Sequence, residues 1–188
     1  MTSQKVKNLR TGIFIDGSNL LWAMMEKNEN GQKKNYNICF KKLKEFLKDK
    51  YSPVFYNYYV CVDTKPLKEP YIDRAVRARK FHNFLEGVGY NVKKKDLKVL
   101  KCGDTKCDTD VEIVMDLHKH SNDIDNIVIF SGDSDFKSAI EGFHQQGKHI
   151  RIYSFRSSLS WELKDFSIKN TRCNFNLLDE LQDKLERN

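Results

Sequence analysis

The sequence predicts an α/β fold, with a mainly parallel central sheet and helices on both faces. Three observations lead there. Short apolar runs without period-two alternation, TGIFID over 11–16 and NIVIF over 126–130, read as strands buried on both faces. Segments with apolar residues at helical spacing stand between such runs. Strands that alternate with helices are joined by crossovers, which makes neighbouring strands parallel.

Gly12 to Asp16 forms the first strand, and Gly17-Ser18-Asn19 breaks it. A helical pattern follows from Leu20 to about Lys27, then a polar loop over 28–37. Phe40, Leu43, Phe46 and Leu47 give Ile38 to Lys50 helical spacing, and Ser52-Pro53 stops that helix. Val54 to Asp63, rich in Tyr, Phe and Val, predicts a second buried strand. After a loop over 66–70, Tyr71 to Glu86 predicts a helix closed by Gly87. Gly89 to Lys95 reads as a strand that Leu97 to Cys102 extends after an interruption. Asp108 to His120 is helical, with Val111, Val114 and Met115 as its apolar stripe. After the strand at 126–130 come a helix from Asp133 to Gln146 closed by Gly147, a strand from His149 to Phe155 and a short helix from Ser160 to Asp165. Asn176 to Arg187 predicts a final amphipathic helix, whose Leu177, Leu178, Leu181 and Leu185 pack on this domain or on a partner.

A chain of 188 residues fits one domain with a sizeable core. Its 39% hydrophobic and 31% charged residues exclude a disordered or membrane-embedded class. No apolar run approaches a membrane span, and no signal-peptide pattern opens the chain, so a cytoplasmic location is expected. The net charge of +7 favours polyanionic partners. The five cysteines are odd in number and scattered, and Cys102 and Cys107 are too far apart for zinc spacing. Free thiols in a reducing compartment are the expectation.

Sites in such sheets form beyond the carboxyl ends of the strands. Asp16 ends the first strand. Asp133 and Asp135 follow NIVIF in SGDSD, and Asp110 opens the helix before it. If those two strands are neighbours, the carboxylates converge and repel unless a cation sits among them. Hard divalent cations prefer such oxygen donors and activate water for phosphodiester displacement. Asp is also a favoured N-cap, so Asp108, Asp110, Asp133 and Asp135 each carry that simpler reading. Asp16 is less easily dismissed, because it closes a buried apolar strand.

FIDGSN, CDTDVEIVMD and VIFSGDSDF, in this order, resemble the NYN domain of the LabA-like group within the PIN-like nuclease superfamily. RARKFHNFLEGVGYNV and GKHIRIYSF are also similar to that family, and the resemblance spans about 12–170. It implies a Rossmann-like PIN fold and a divalent-metal ribonuclease, using Mg²⁺ or Mn²⁺, with RNA, single-stranded or structured, as partner. It implies Asp16, Asp110, Asp133 and Asp135 as metal-binding acids, the first three catalytic, with Asn19 and Ser131 as support. The segment 106–110 is one residue longer than the family's, which leaves Asp108 as the alternative to Asp110. Asp116 lies six positions after Asp110, about 120° around the helix, and is a secondary candidate.

Arg74, Arg77 and Lys80 on one helix, with Lys101 and Lys106 leading toward Asp110, are candidates for backbone phosphate contacts. Tyr58, Tyr59 and Tyr90 could stack on bases or belong to the core. The histidines form no metal or general-base pair, which leaves a metal-activated water as the expected nucleophile. No phosphate-loop, dinucleotide-binding or G-x-S-x-G pattern occurs. The remaining readings are a catalytically weak RNA-binding or regulatory module and a DNA-directed nuclease. A homodimer is compatible with the sequence.

Overall fold

The computed structural model of the protein describes residues 8–63, 71–99 and 105–187. Six strands form one parallel sheet: β1 (Arg10–Asp16), β2 (Ser52–Val62), β3 (Asn91–Asp96), β6 (Asn126–Phe130), β7 (His149–Ser154) and β8 (Cys173–Leu177). Their order is β3-β2-β1-β6-β7-β8. The chain winds outward from β1 in one direction and then, from β6, in the other. The reversal falls between β1 and β6, where doubly wound sheets open a crevice at the strands' carboxyl ends.

The alternation along β1 shows how the core divides. Ile13 and Ile15 face one layer with α1 (Gly17–Met25), α2 (Phe40–Lys50) and α3 (Tyr71–Val88), through Leu20, Leu43, Leu47 and Leu85. Phe14 faces the other, with Ile113 and Leu117 of α4 (Asp110–Lys119), Ile140 and Phe143 of α5 (Lys137–Gln145) and Leu163 of α6 (Trp161–Lys169). Each of these fully buried side chains contributes roughly 1.5–3 kcal/mol. No helix of the described residues is long and apolar enough to cross a membrane.

Several expectations are corrected. The strand β2 begins at Ser52 and includes Pro53. Pro53 is tolerated because β3 pairs with β2 only from Asn57 onward, so one edge is unpaired there. α3 runs through Gly87 to Val88, and Gly89, with φ +92°, makes the turn instead. Lys98–Val99 (β4) does not extend β3 but pairs antiparallel with Thr105–Lys106 (β5) in a separate ribbon. α4 starts at Asp110, not Asp108, and buries Ile113 and Leu117, whereas Val111 and Met115 are each 63% exposed. A 3₁₀ turn (Ser134–Phe136) precedes α5, and α6 extends to Lys169.

The largest correction is at the C-terminus. Cys173–Leu177 is the sixth strand, followed by a 3₁₀ turn (Leu178–Leu181) and a single turn, α7 (Gln182–Leu185). Leu178 and Leu185 are fully buried in this chain's own core, beside Leu181, so the leucines pack on this domain. The strand's short CNFNL pattern was masked by leucines at helical spacing.

The cysteine expectation is also overturned. Cys61, near the end of β2, and Cys107, before α4, form a disulfide across a separation of 46 residues. Sequence spacing could not reveal it, because the sheet brings the two segments together. Cys39 and Cys173 are free thiols. Cys102 and Lys101 lie outside the described residues.

Candidate functional site

The register levels the ends of β1 and β6: Ile15 pairs with Phe130, so Asp16 and Ser131 leave adjacent strands side by side. The sharp departure after Asp16 requires Gly17, since a Cβ there would stand 2.5 Å from the Tyr59 carbonyl and 2.6 Å from the Tyr58 ring. Gly132 is equally constrained, because a Cβ would collide with the Ser158 carbonyl.

Asp16 is only 4% exposed. Its Oδ1 accepts from the Asn19 amide at 3.0 Å, capping α1, and its Oδ2 accepts from the Ser131 hydroxyl at 3.1 Å. Ser131 Oγ in turn accepts from the Asp133 amide at 3.3 Å, and Asn19 Oδ1 accepts from the Gly132 amide at 3.2 Å. Two side chains thus lace the turn after β6 to the turn after β1. Asp133 caps the 3₁₀ turn, its Oδ1 accepting from the Asp135 amide at 3.0 Å. This caps the chain locally and leaves its second carboxylate oxygen without a partner in that turn.

Asp110 approaches from α4. Its amide donates to Asp108 Oδ1 at 2.8 Å. Burial and then the neighbouring Asp108 carboxylate push the Asp110 carboxyl up to about 7, with Asp16 and Asp133 adding repulsion. Burial also raises the Asp16 carboxyl, against its hydrogen bonds from Asn19, Ser131 and Ser18, and Asp133 pushes it further. The four acids Asp16, Asp108, Asp110 and Asp133 therefore share one electrostatic neighbourhood. The Lys95 ammonium donates to the Asp108 carbonyl and to Glu112 Oε2.

The donor chemistry suits a hard divalent cation. Every donor is oxygen, the carboxylates repel one another, and the Thr109 hydroxyl is buried between Asp108 and Asp110 without a hydrogen-bond partner among the described residues. The Tyr58 hydroxyl, raised by burial and by Asp16, is a second orphan of this kind. Among the described residues, however, no three acidic, histidine or cysteine groups stand close enough together to chelate a cation as they are placed. Mg²⁺ commonly keeps several waters between itself and its carboxylates, so a looser donor set is compatible with it.

Asp116 points elsewhere. Its Oδ2 accepts from the Tyr59 hydroxyl at 2.8 Å and lies 3.7 Å from the Lys93 ammonium. Asp135 stays at the 3₁₀ turn. Arg74, Arg77 and Lys80 are exposed on α3, which starts after β2's carboxyl end and returns to the amino end of β3, so its first turns lie toward the acidic edge. Lys106 is in β5. Tyr58, Tyr59 and Tyr90 are at most 2% exposed, so they are core and not a stacking surface. Sequence reasoning missed Thr109, whose only signal was its place between two acids, and the exposed Trp22 on α1.

The NYN domain family model matches residues 10–169, the span that holds the sheet edge and its acids. The chain belongs to the NYN-domain family. That family lies within the PIN-like nuclease superfamily, whose members include divalent-metal nucleases and RNA-binding proteins. This NYN protein is similar to the low amplitude and bright protein LabA of Synechococcus elongatus, at 28% identity over 162 residues, covering 83% of this chain and 79% of LabA. Its fold is shared with a protein of unknown function from Vibrio parahaemolyticus, at TM-score 0.73 and 24% identity, covering 95% of this chain and 97% of that one.

Proposed function

We propose that this NYN protein is a divalent-metal-dependent endoribonuclease, with Asp16, Asp110 and Asp133 as its catalytic, metal-holding acids. The observation that carries this reading is the electrostatic state of Asp110: an acid pushed up to about 7 by burial and by Asp108, Asp16 and Asp133. Paying repulsion of this kind is characteristic of functional sites more than of structural ones.

A divalent cation, Mg²⁺ or Mn²⁺, would supply an activated water and offset charge on the phosphate. The chain's own residues do the rest. Asn19 and Ser131 hold Asp16 in one orientation, as partners of metal-binding carboxylates do. Asp133, Asp135 and the 3₁₀ turn keep the second acidic segment rigid. Asp108 fixes the start of α4 through the Asp110 amide. Arg74, Arg77 and Lys80 offer sequence-blind phosphate contacts, with Lys101 and Lys106 as further candidates.

The absence of a chelating triad among the described residues favours a second reading, a catalytically weak RNA-binding module of the same fold. One experiment separates the two. Labelled single-stranded RNA, and DNA of the same sequence, are incubated with the protein in Mn²⁺, Mg²⁺ or EDTA, beside Asp133→Asn. Metal-dependent RNA cleavage that falls at least about a hundredfold in the variant is expected. RNA binding without cleavage in any metal would establish the second reading, and faster cleavage of DNA would replace RNA as the substrate.

A further inference from the structure

A cavity of about 400 Å³ opens beside the acidic edge, lined by Asn19, Trp22, Ala23, Met25 and Glu26 of α1 and its end, and by Ser158 of the loop after β7. Trp22 is 72% exposed and Met25 54% exposed, although both stand on a helix whose other face is buried in the core. Exposing a tryptophan forgoes a large burial gain, so an indole left in solvent beside a cavity marks a contact surface.

Two of its lining residues also touch the turns that carry the acids. Asn19 lines it and also holds the Gly132 amide, while its own amide caps Asp16. Ser158 closes the other side, with its carbonyl against Gly132. The Nδ2 of Asn19 makes no hydrogen bond among the described residues, so a donor is left beside the indole. The single carboxylate of the lining, Glu26, is already matched by Lys34. Lys27, next to Glu26 in the chain, is exposed; so is Arg156, two residues before Ser158, and its guanidinium lies 3.9 Å from the Glu180 carboxylate.

We propose that this cavity is a nucleobase subsite for single-stranded RNA, in which an unpaired base stacks on Trp22 beside the acidic edge formed by Asp16 and Asp133. An indole face, a hydrogen-bonding amide and flanking cations are the elements that unpaired nucleic acid requires. A duplex keeps its bases stacked on one another and leaves none for the indole, so the subsite selects unpaired substrate. The proposal rests on the ribonuclease reading for its neighbour, the acidic edge, but its own contact is separable from catalysis.

The test is binding of a ten-nucleotide single-stranded RNA, labelled at its 5′ end, by fluorescence anisotropy in EDTA, where cleavage plays no part. Wild type is compared with Trp22→Ala and Trp22→Phe, with a hairpin duplex of similar length as the second probe. Because Trp22 is mostly exposed, both variants should melt as wild type does. Trp22→Ala is expected to bind single-stranded RNA about tenfold more weakly, with Trp22→Phe near wild type and duplex binding unchanged. Equal single-strand affinity in wild type and Trp22→Ala overturns the proposal. So does a change confined to oligomeric state on a sizing column, which would make the face a contact between copies of the chain. Loss of binding in Trp22→Ala by a protein that cleaves nothing in any metal would defeat the ribonuclease reading and leave the subsite standing. Unaltered binding with intact cleavage would do the reverse.

Discussion

The Gly132 amide donates to Asn19 Oδ1 at 3.2 Å, fastening the turn after β6 to the first turn of α1. Gly132 has no side chain of its own to be held by, and one could not fit against Ser158. The position of Asp133 therefore depends on a residue from the opposite side of the sheet's reversal point. Asn19→Ala keeps the backbone cap of Asp16 but removes this acceptor. The metal concentration for half-maximal cleavage should rise about 10–100-fold, the usual effect of losing a partner behind a metal ligand. A manganese titration measures it. An unchanged midpoint would mean that Gly132 is positioned by Ser158 and Ser160 alone.

Asp110 gives the metal-free protein a characteristic response to pH. Its folded-state carboxyl stands near 7, against an ordinary 3.8. The folded state thus holds a proton more tightly than the unfolded chain does. The associated stability is fully present below about 3.8 and is lost as pH rises through about 7. Thermal melts in EDTA should show a midpoint falling across that window, and Asp110→Asn should flatten the fall. Asp16, raised in the same sense, leaves some slope in the variant. A variant whose melts track wild type at every pH would show that Asp110 is not the strained acid.

Much of this arrangement was legible in the sequence because its causes are local. TGIFID and NIVIF are buried on both faces and announce central strands, and the acids after them follow directly in the chain. What failed depended on distant contacts. The leucines at 177, 178, 181 and 185 fit a helix, but pairing of Cys173–Leu177 with β7 outweighs that local preference. Helix α4 carried two overlapping apolar stripes, and only its docking on Phe14 selects Ile113 and Leu117 over Val111 and Met115. Trp22 sits in GSNLLWAMM, which is apolar almost all round, so no periodicity told its exposed face from its buried one.

The Cys61–Cys107 disulfide anchors the segment before Asp110 to the carboxyl end of β2. Closing a loop of 46 residues restricts the unfolded chain by about 4 kcal/mol in the loop-entropy view. Reduction should therefore lower the melting midpoint and weaken cleavage together, since Asp108, Thr109 and Asp110 follow the anchored cysteine. Melts and cleavage assays with and without a dithiol reductant, after thiol titration has confirmed reduction, provide the check. Cys61→Ser should behave like the reduced protein and no longer respond to reductant. Full activity in the reduced protein would show that β4, β5 and Lys95 hold the segment unaided.

Asp116 separates a structural carboxylate from the candidate metal-holding ones on the same helix. The Tyr59 hydroxyl is almost wholly buried and donates to Asp116 Oδ2 at 2.8 Å; burial, and then the Asp116 contacts, hold it well above the ordinary phenol range. Removing the acceptor would strand that hydroxyl's proton, leaving only the Asn57 amide donating to its oxygen at 3.2 Å, at a cost of about 1–3 kcal/mol. For a chain of this size that corresponds to a fall of several degrees in melting midpoint. Asp116→Ala should show that fall with cleavage by the remaining folded protein unchanged, and Asp116→Asn should recover most of it, because the amide oxygen still accepts from Tyr59. Asp110→Asn should do the opposite, losing cleavage without losing stability. If Asp116→Ala instead abolished cleavage at an unchanged midpoint, Asp116 would join Asp16 and Asp133 as a metal-holding acid, and its bond to Tyr59 would be incidental.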